Sequence, residues 1–515
     1  VSAAPDWASL PAAGLAEHLG AQRWSGARGA AIADVRVEAA VPFPLPGDDA
    51  PPCAVVVVAG KAAGAPVRWQ LPLAADAGDG AAVATPGGRV VRDATALPAF
   101  RDALRAALAE GRRLEGRAAD GAPVAWSARR VGGGGRLDAP LPSRVGSAEQ
   151  SNTSLLYGDA AIVKLFRRLE AGPQPDVEIG AALAGARFAH VPALLGVVEL
   201  EREGARTVLG MAQAMVPGAV DAWAWLVARA APAVREGEGA TAWDESVDEA
   251  RRLGAVTRAL HDALATVGDV DFAPQRAGGA DVARWAGDAA AAFADALAAV
   301  EPAAVEPAPG AADGPGFAEA RSALGALAAR GDELRARLDA LAAEVGDDAG
   351  ACIRHHGDYH LGQVLRAADG GLAVIDFEGE PARPLATRRA RHSALRDVAG
   401  MLRSFGYAAA TALRDGGGPA ASAAANADAW ERAARAAFLQ GYRDEPRGGA
   451  APPYLPARPA AFDALARIFE LEKLFYELRY EVRNRPDWLP IPLRGLLALL
   501  ADSEREAAAA PPGGR

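Results

Sequence analysis

The spacing of apolar and polar positions divides the chain into a strand-rich first part and a helix-rich second part. After a short helix, Leu10 to Leu19, apolar runs at Ala31 to Val41, Ala54 to Ala59 and Val67 to Leu73 are separated by Pro and Gly breaks and predict strands. Residues 98–113 repeat apolar positions at Phe100, Leu104 and Leu108, which predicts an amphipathic helix. A short strand, Ala122 to Ala128, leads to a glycine connector, Gly132 to Gly135. From Arg144 to Phe166 the pattern reads strand, polar loop, strand, turn at Gly158-Asp159, strand. Pro175 opens a helix. Two strands are predicted next, His190 to Val198 and Val208 to Val216. Beyond Asp221 the period becomes helical, with helices over Trp223 to Ala230, Val247 to Leu264, Asp281 to Ala299 and Phe317 to Ala343. A Pro- and Ala-rich stretch, Val300 to Gly316, reads as a loop. A hairpin near residue 370 and helices from Asp397 and over Phe469 to Arg485 complete the pattern. It predicts an α+β chain in three parts: 1–95, 96–216 and 217–515.

Composition narrows the function classes. Half of the 515 residues are hydrophobic and the net charge is −10, which argues against a general nucleic-acid or membrane-surface binder. No apolar run approaches the ~20 residues of a membrane span. Cys53 and Cys352 form no disulfide framework, and the opening residues lack a basic stretch followed by an apolar core, so a cytoplasmic setting is expected. Of 55 basic residues only Lys61, Lys164 and Lys473 are lysine. Where arginine is so strongly preferred, a lysine that persists marks a place where a compact point charge does what a fork cannot.

The candidate chemistry centres on His355 to Glu380. His356-Gly357-Asp358 is followed, five residues after the Asp, by Gln363. A turn at Asp369-Gly370-Gly371 then leads to the apolar run Leu372 to Ile375, which ends in Asp376-Phe377-Glu378. Phosphoryl transfer fits this set: Asp358 receives or orients the acceptor proton, and Asp376 and Gln363 hold Mg²⁺. The order matches the H-R-D, Asn and D-F-G series of protein kinases, but with H-G-D, Gln and D-F-E, which points to their small-molecule relatives.

Lys164 lies mid-strand between apolar neighbours, where an unpaired charge is costly. Glu178, on the helix opened by Pro175, is its expected partner, an arrangement that holds nucleotide phosphates. Ser147 and Ser151, in the polar loop before, are expected to meet phosphate oxygens, and Gln213 to Met215 the adenine. On the helix over Phe469 to Arg485, Leu471, Leu474, Phe475, Leu478 and Val482 form one apolar stripe. Lys473, Tyr476 and Tyr480 fall on the opposite face, as a wall that suits a sugar, with Trp488 extending it. His360 and Glu378 are expected to join the substrate side. The His356/His360 pair has zinc spacing but lacks the glutamate after its first histidine. A glycosidase reading of Asp358 and Asp376 leaves Lys164 unexplained.

With these motifs in place the chain resembles the bacterial maltokinase family. The stretches that carry the resemblance are SAEQSNTS at 147–154, IVKLFRR at 162–168, PDVEI at 175–179, HGDYHLGQVLR at 356–366, IDFEGEPARPL at 375–385, LRDVAGMLRSF at 395–405 and YELRYEVRNRPDWLPIPLR at 476–494, with QRW at 22–24. The resemblance implies a two-lobed kinase-like fold, similar to aminoglycoside phosphotransferases, with an N-terminal cap and an intermediate subdomain. It implies ATP and Mg²⁺ as cofactors and maltose 1-phosphate as product, on the trehalose-to-α-glucan route, with trehalose synthase as a partner or fusion. It implies Asp358 as catalytic base, Gln363 and Asp376 on Mg²⁺, Lys164 at the nucleotide phosphates, and Lys473, Tyr476 and Tyr480 at the sugar. Glucosamine or an aminoglycoside is the alternative acceptor, and a non-catalytic module the alternative of another class.

Overall fold

The computed structural model describes residues 4–26, 31–77, 82–132, 135–146, 151–300, 325, 327–381, 383–416, 420–444 and 452–509. Two compact units emerge, Val1–Ala184 with Val191–Gly218, and Gly185–His190 with Ala219–Arg515.

The first unit is built on one twelve-stranded sheet, antiparallel throughout. The central strand Cys53–Ala62 is apolar on consecutive residues because it is buried on both faces: Val55 and Val57 pack into one core, Val56 and Val58 into another. The first core gathers Phe43, Trp126, Leu155, Val163 and Met211 under the helix Pro98–Glu110. The second gathers Trp7, Leu15, Leu19, Trp24 and Trp69. Arg168–Leu169 follows Ala161–Phe166 almost directly in the chain, yet it pairs with Ala65–Ala75 at the far end of the strand order, so the sheet curls back on itself. Gln70 fastens the curl, its amide donating to the Leu209 carbonyl at 2.8 Å.

Several sequence expectations shift here. The helix over 98–113 stops at Glu110, capped by left-handed Gly111, and Arg113–Ala118 forms a strand that its charged composition concealed. The strand expected from His190 starts only at Leu194, because Pro192 has no N–H for a ladder. The other strand runs Ala205–Ala214, three residues earlier than its apolar core indicates. The helix expected from Phe317 is described over Gly331–Val345; residues 317–324 and 326 and the loop expected at 301–316 lie outside the described residues.

The second unit is mainly helical: Ala222–Glu236, Thr241–Ala265, Gly279–Val300, Gly331–Val345, Leu395–Gly416, Ala420–Arg443, Pro459–Asn484 and Pro490–Ala509. A small sheet, Val220–Asp221 with Val364–Arg366 and Leu372–Val374, carries the predicted hairpin. His190 belongs to this unit, its carbonyl accepting from Val374 N–H at 2.8 Å. Among the described residues no helix is long and apolar enough to cross a membrane.

Candidate active site

In the helical unit the H-G-D loop is fixed from behind by a buried carboxylate. Asp397, at the start of helix Leu395–Gly416, accepts from His356 N–H at 2.7 Å and Gly357 N–H at 2.9 Å, and His261 Nε2 lies 3.2 Å away. Burial alone would raise its pKa, but the histidines His355, His261 and His356 and the bond from His261 hold it well below the usual carboxylate range. The His356 ring then joins both motif segments. Its Nε2 donates to the Ile375 carbonyl at 2.9 Å, its Nδ1 faces Asp358 N–H at 3.4 Å, and it packs between Tyr359 and Phe377. Ile375 N–H also bonds the Gln363 carbonyl at 3.0 Å. The segments that carry Asp358, Gln363 and Asp376 are thus tied through one hydrogen-bond network centred on the His356 ring.

Asp376 has φ 68°, a left-handed conformation that non-glycine residues adopt at a cost and that clusters at functional sites. One carboxylate oxygen of Asp376 and one of Glu378 lie within 4.8 Å of each other. Carboxylate oxygens so placed are the donor type that a hard divalent ion takes. Glu378, which the sequence suggests for substrate, therefore stands beside Asp376. His360 caps its own turn, Nδ1 accepting from Gly362 N–H at 3.1 Å. Burial first, then Lys473, lowers its pKa against the pull of Asp358.

From Asp358 a chain of alternating charges crosses the site. Lys473 Nζ lies 3.6 Å from Asp358 Oδ1 and 3.1 Å from Glu380 Oε1. Arg383 Nε meets Glu380 Oε2 at 2.5 Å and Arg383 Nη2 lies 3.5 Å from Glu472, which Arg396 also holds at 2.8 Å. All six side chains line one cleft with Tyr476. Burial alone would lower the Lys473 pKa; Glu380, then Asp358 and Glu477, raise it well above the ordinary lysine value. Burial would likewise raise Glu380, but Lys473 and Arg383 pull it down to about 2.

The predicted helix face is as expected. Pro459–Asn484 buries Leu471, Leu474, Phe475, Leu478 and Val482 and turns Lys473 and Tyr476 to the cleft. Lys473 Nζ stands 4.9 Å over the Tyr476 ring, and Tyr480 stacks on Tyr476 with 6.2 Å between centroids. Trp488 stacks on Tyr407 at 6.1 Å, and the Arg485 guanidinium lies over both the Trp488 and Tyr480 rings. The Glu380, Arg383, Arg396 and Glu472 chain joins residues too far apart in sequence for spacing to reveal it as a unit.

In the sheet unit Lys164, on strand Ala161–Phe166, is held at 2.9 Å by Asp176, which is fully buried in the first turn of helix Pro175–Gly185. Glu178, the partner that the spacing suggests, is half-buried in the same turn, and Asp176 is an acid on Lys164 that the spacing does not single out. Both acids sit where the helix dipole favours negative charge. Gln213 is buried, and its Nε2 has no hydrogen-bond partner among the described residues. Met215 N–H already bonds the Ala160 carbonyl at 3.0 Å, so it is not free for a base. Ser151 is half-buried just ahead of strand Asn152–Tyr157, and Ser147 lies outside the described residues.

A curled sheet carrying a paired lysine, and a helical unit carrying H-G-D and D-F-E on one hydrogen-bond network, define a two-lobed kinase-like fold. Comparison with known proteins agrees. Residues 18–96 match the maltokinase N-terminal cap domain family. A glucosamine kinase of Streptacidiphilus jiangxiensis is 31% identical over 439 residues, 84% of this chain and 86% of that protein. A glucosamine kinase of Mycolicibacterium smegmatis is 33% identical over 69% of this chain and 78% of its own length. A solved glucosamine kinase structure superposes with TM-score 0.66 at 28% identity, covering 96% of this chain and all of that one. Another, in complex with glucosamine, ADP and inorganic phosphate, gives 0.63 over 94% of this chain and 99% of its own. The chain therefore belongs to the maltokinase-like family of sugar kinases that includes these glucosamine kinases.

Proposed function

We propose that the chain is an ATP-dependent kinase that phosphorylates the anomeric hydroxyl of maltose. The observation that carries the reading is the charge-balanced chain ending on Asp358: Arg396, Glu472, Arg383, Glu380, Lys473, Asp358. Each carboxylate along it already faces a cation, so an ammonium-bearing acceptor finds no unmatched acid there, while a neutral sugar finds donors, acceptors and a tyrosine wall. Asp358 orients the acceptor hydroxyl and takes its proton as the new O–P bond forms and the bond from the γ-phosphorus to ADP breaks. Lys473 holds that carboxylate in register. Asp376, Glu378 and Gln363 are assigned to Mg²⁺, which when bound spreads phosphate charge. Lys164, fixed by Asp176, is assigned to the nucleotide phosphates, with Glu178 and Ser151 nearby in sequence; Gln213 and Met215 are assigned to the adenine side. His360, Tyr480 and Trp488 are assigned to the sugar side. The maltose reading carries with it a trehalose synthase partner and a cytoplasmic setting.

A second reading, glucosamine as acceptor, is favoured by the names of the relatives that span most of the chain. A coupled ADP-release assay over maltose, glucosamine, glucose and an aminoglycoside separates the two. Maltose is expected to give the highest kcat/KM. A higher value for glucosamine replaces the first reading with the second, and no sugar-dependent release from any acceptor contradicts both.

A further inference from the structure

We propose that the helical unit holds a second ligand site, for a small metabolite bearing an oxyanion, phosphate or carboxylate, in the cavity beneath Arg403. The cavity, about 170 Å³, is walled by helices Leu395–Gly416, Ala420–Arg443, Pro459–Asn484 and Pro490–Ala509. It shares no lining residue with the cleft at Asp358.

Arg403 is only 2% exposed. Its Nε donates to Glu477 Oε2 at 3.0 Å, but its Nη2 is buried without any hydrogen-bond partner among the described residues. Leaving a buried charged donor unmet is costly, so such a group calls for a partner. Burial would lower the Arg403 pKa, but Glu477 and Glu470 hold it above the ordinary arginine value, so the guanidinium stays charged.

The space beside that guanidinium is kept open by two glycines. A Cβ at Gly495 would stand 2.5 Å from Arg403 Nη1 and 3.1 Å from Nη2; one at Gly406 would stand 3.4 Å from Nη1 and 3.0 Å from Glu431 Oε1. The wall's carboxylates, by contrast, are already engaged. Arg435 grips Glu470 through two bonds, 2.5 and 3.0 Å, and lies 3.9 Å from Glu431. Arg494 lies 3.5 Å from Asp428. Arg432 lines the same cavity, is exposed, and has no ion pair among the described residues. What is left unmet among the described residues is therefore a buried cationic donor, Arg403 Nη2, whose guanidinium is paired through Nε alone, and at the rim the unpaired Arg432. A planar guanidinium with free N–H groups binds carboxylate or phosphate oxygens in paired bonds.

The test is titration calorimetry on the full chain with inorganic phosphate and, separately, citrate. The catalytic site is first filled with a non-hydrolysable ATP analogue and sugar. One saturable site is expected for at least one of the two anions, and which anion binds separates phosphate from carboxylate ligands. Arg403→Lys, and independently the rim double variant Arg432→Gln with Arg494→Gln, should each weaken binding about 10-fold or more. The rim variant keeps the test decisive if Arg403→Lys folds poorly. No saturable heat from either anion, or binding unchanged in the rim variant, overturns the proposal; a bound water then meets Nη2.

Discussion

The three lysines separate cleanly by what surrounds them. Lys61 pairs with Asp34 at 2.8 Å, both more than half exposed, where an arginine would serve as well. Lys164 and Lys473 each sit against a buried carboxylate, Asp176 and Glu380. Two of the three lysines thus stand in buried ion pairs, and the third on the surface. Glu380 makes a testable case for the network around Lys473. Its folded pKa, about 2, lies below its ordinary value of 4.5. A depressed carboxylate contributes stability that is complete above the unfolded pKa and is lost as pH falls through the folded one. Glu380→Gln should thus lower the urea midpoint at pH 7, and the difference from the parent should shrink between pH 4.5 and 2. A difference that stays constant over that window would show that Glu380 is not held by Lys473 and Arg383.

Elements whose burial pattern has a single period were legible, and those shaped by neighbours were not. The helix Pro459–Asn484 displays Lys473 and Tyr476 opposite its apolar stripe, as 3.6 residues per turn requires. Strand Arg113–Ala118 escaped notice because its half-exposed, charged residues carry no apolar alternation. Asp176 is not evident from the sequence as a partner of Lys164, because spacing fixes the turn of the helix and not how many of its acids reach the strand. Helix pairing was likewise invisible. Thr241–Ala265 and Ala420–Arg443 approach so closely that a Cβ at Gly254 would lie 2.0 Å from the Phe438 carbonyl, and one at Gly441 2.0 Å from that of Arg251. Gly254→Ala must push the helices apart, at a cost of about 1–3 kcal/mol. Calorimetry should show a melting temperature several degrees lower for the helical unit. An unchanged transition would contradict the close approach.

At the scale of the whole molecule, strand-rich and helix-rich halves were evident from periodicity, and the motif order from its carboxylates. What the sequence could not convey was that residues 32–169 and 194–214 would contribute to one continuous sheet, with no break at residue 95. Pairings such as that of Ala40 with Arg117 join positions too far apart in the chain for local pattern to reveal. The cap match ends at residue 96, close to the predicted boundary, although the sheet runs through it. The central claim is that Asp358, braced by Asp397 through His356 and Gly357 and balanced by Lys473, governs transfer to a sugar hydroxyl. Sugar-dependent ADP release by Asp358→Asn beside the parent tests it most directly, with ATP binding measured on both. The account predicts a loss of about 10²–10⁴-fold in turnover with ATP affinity retained; sugar-dependent release at the parent's rate would contradict it.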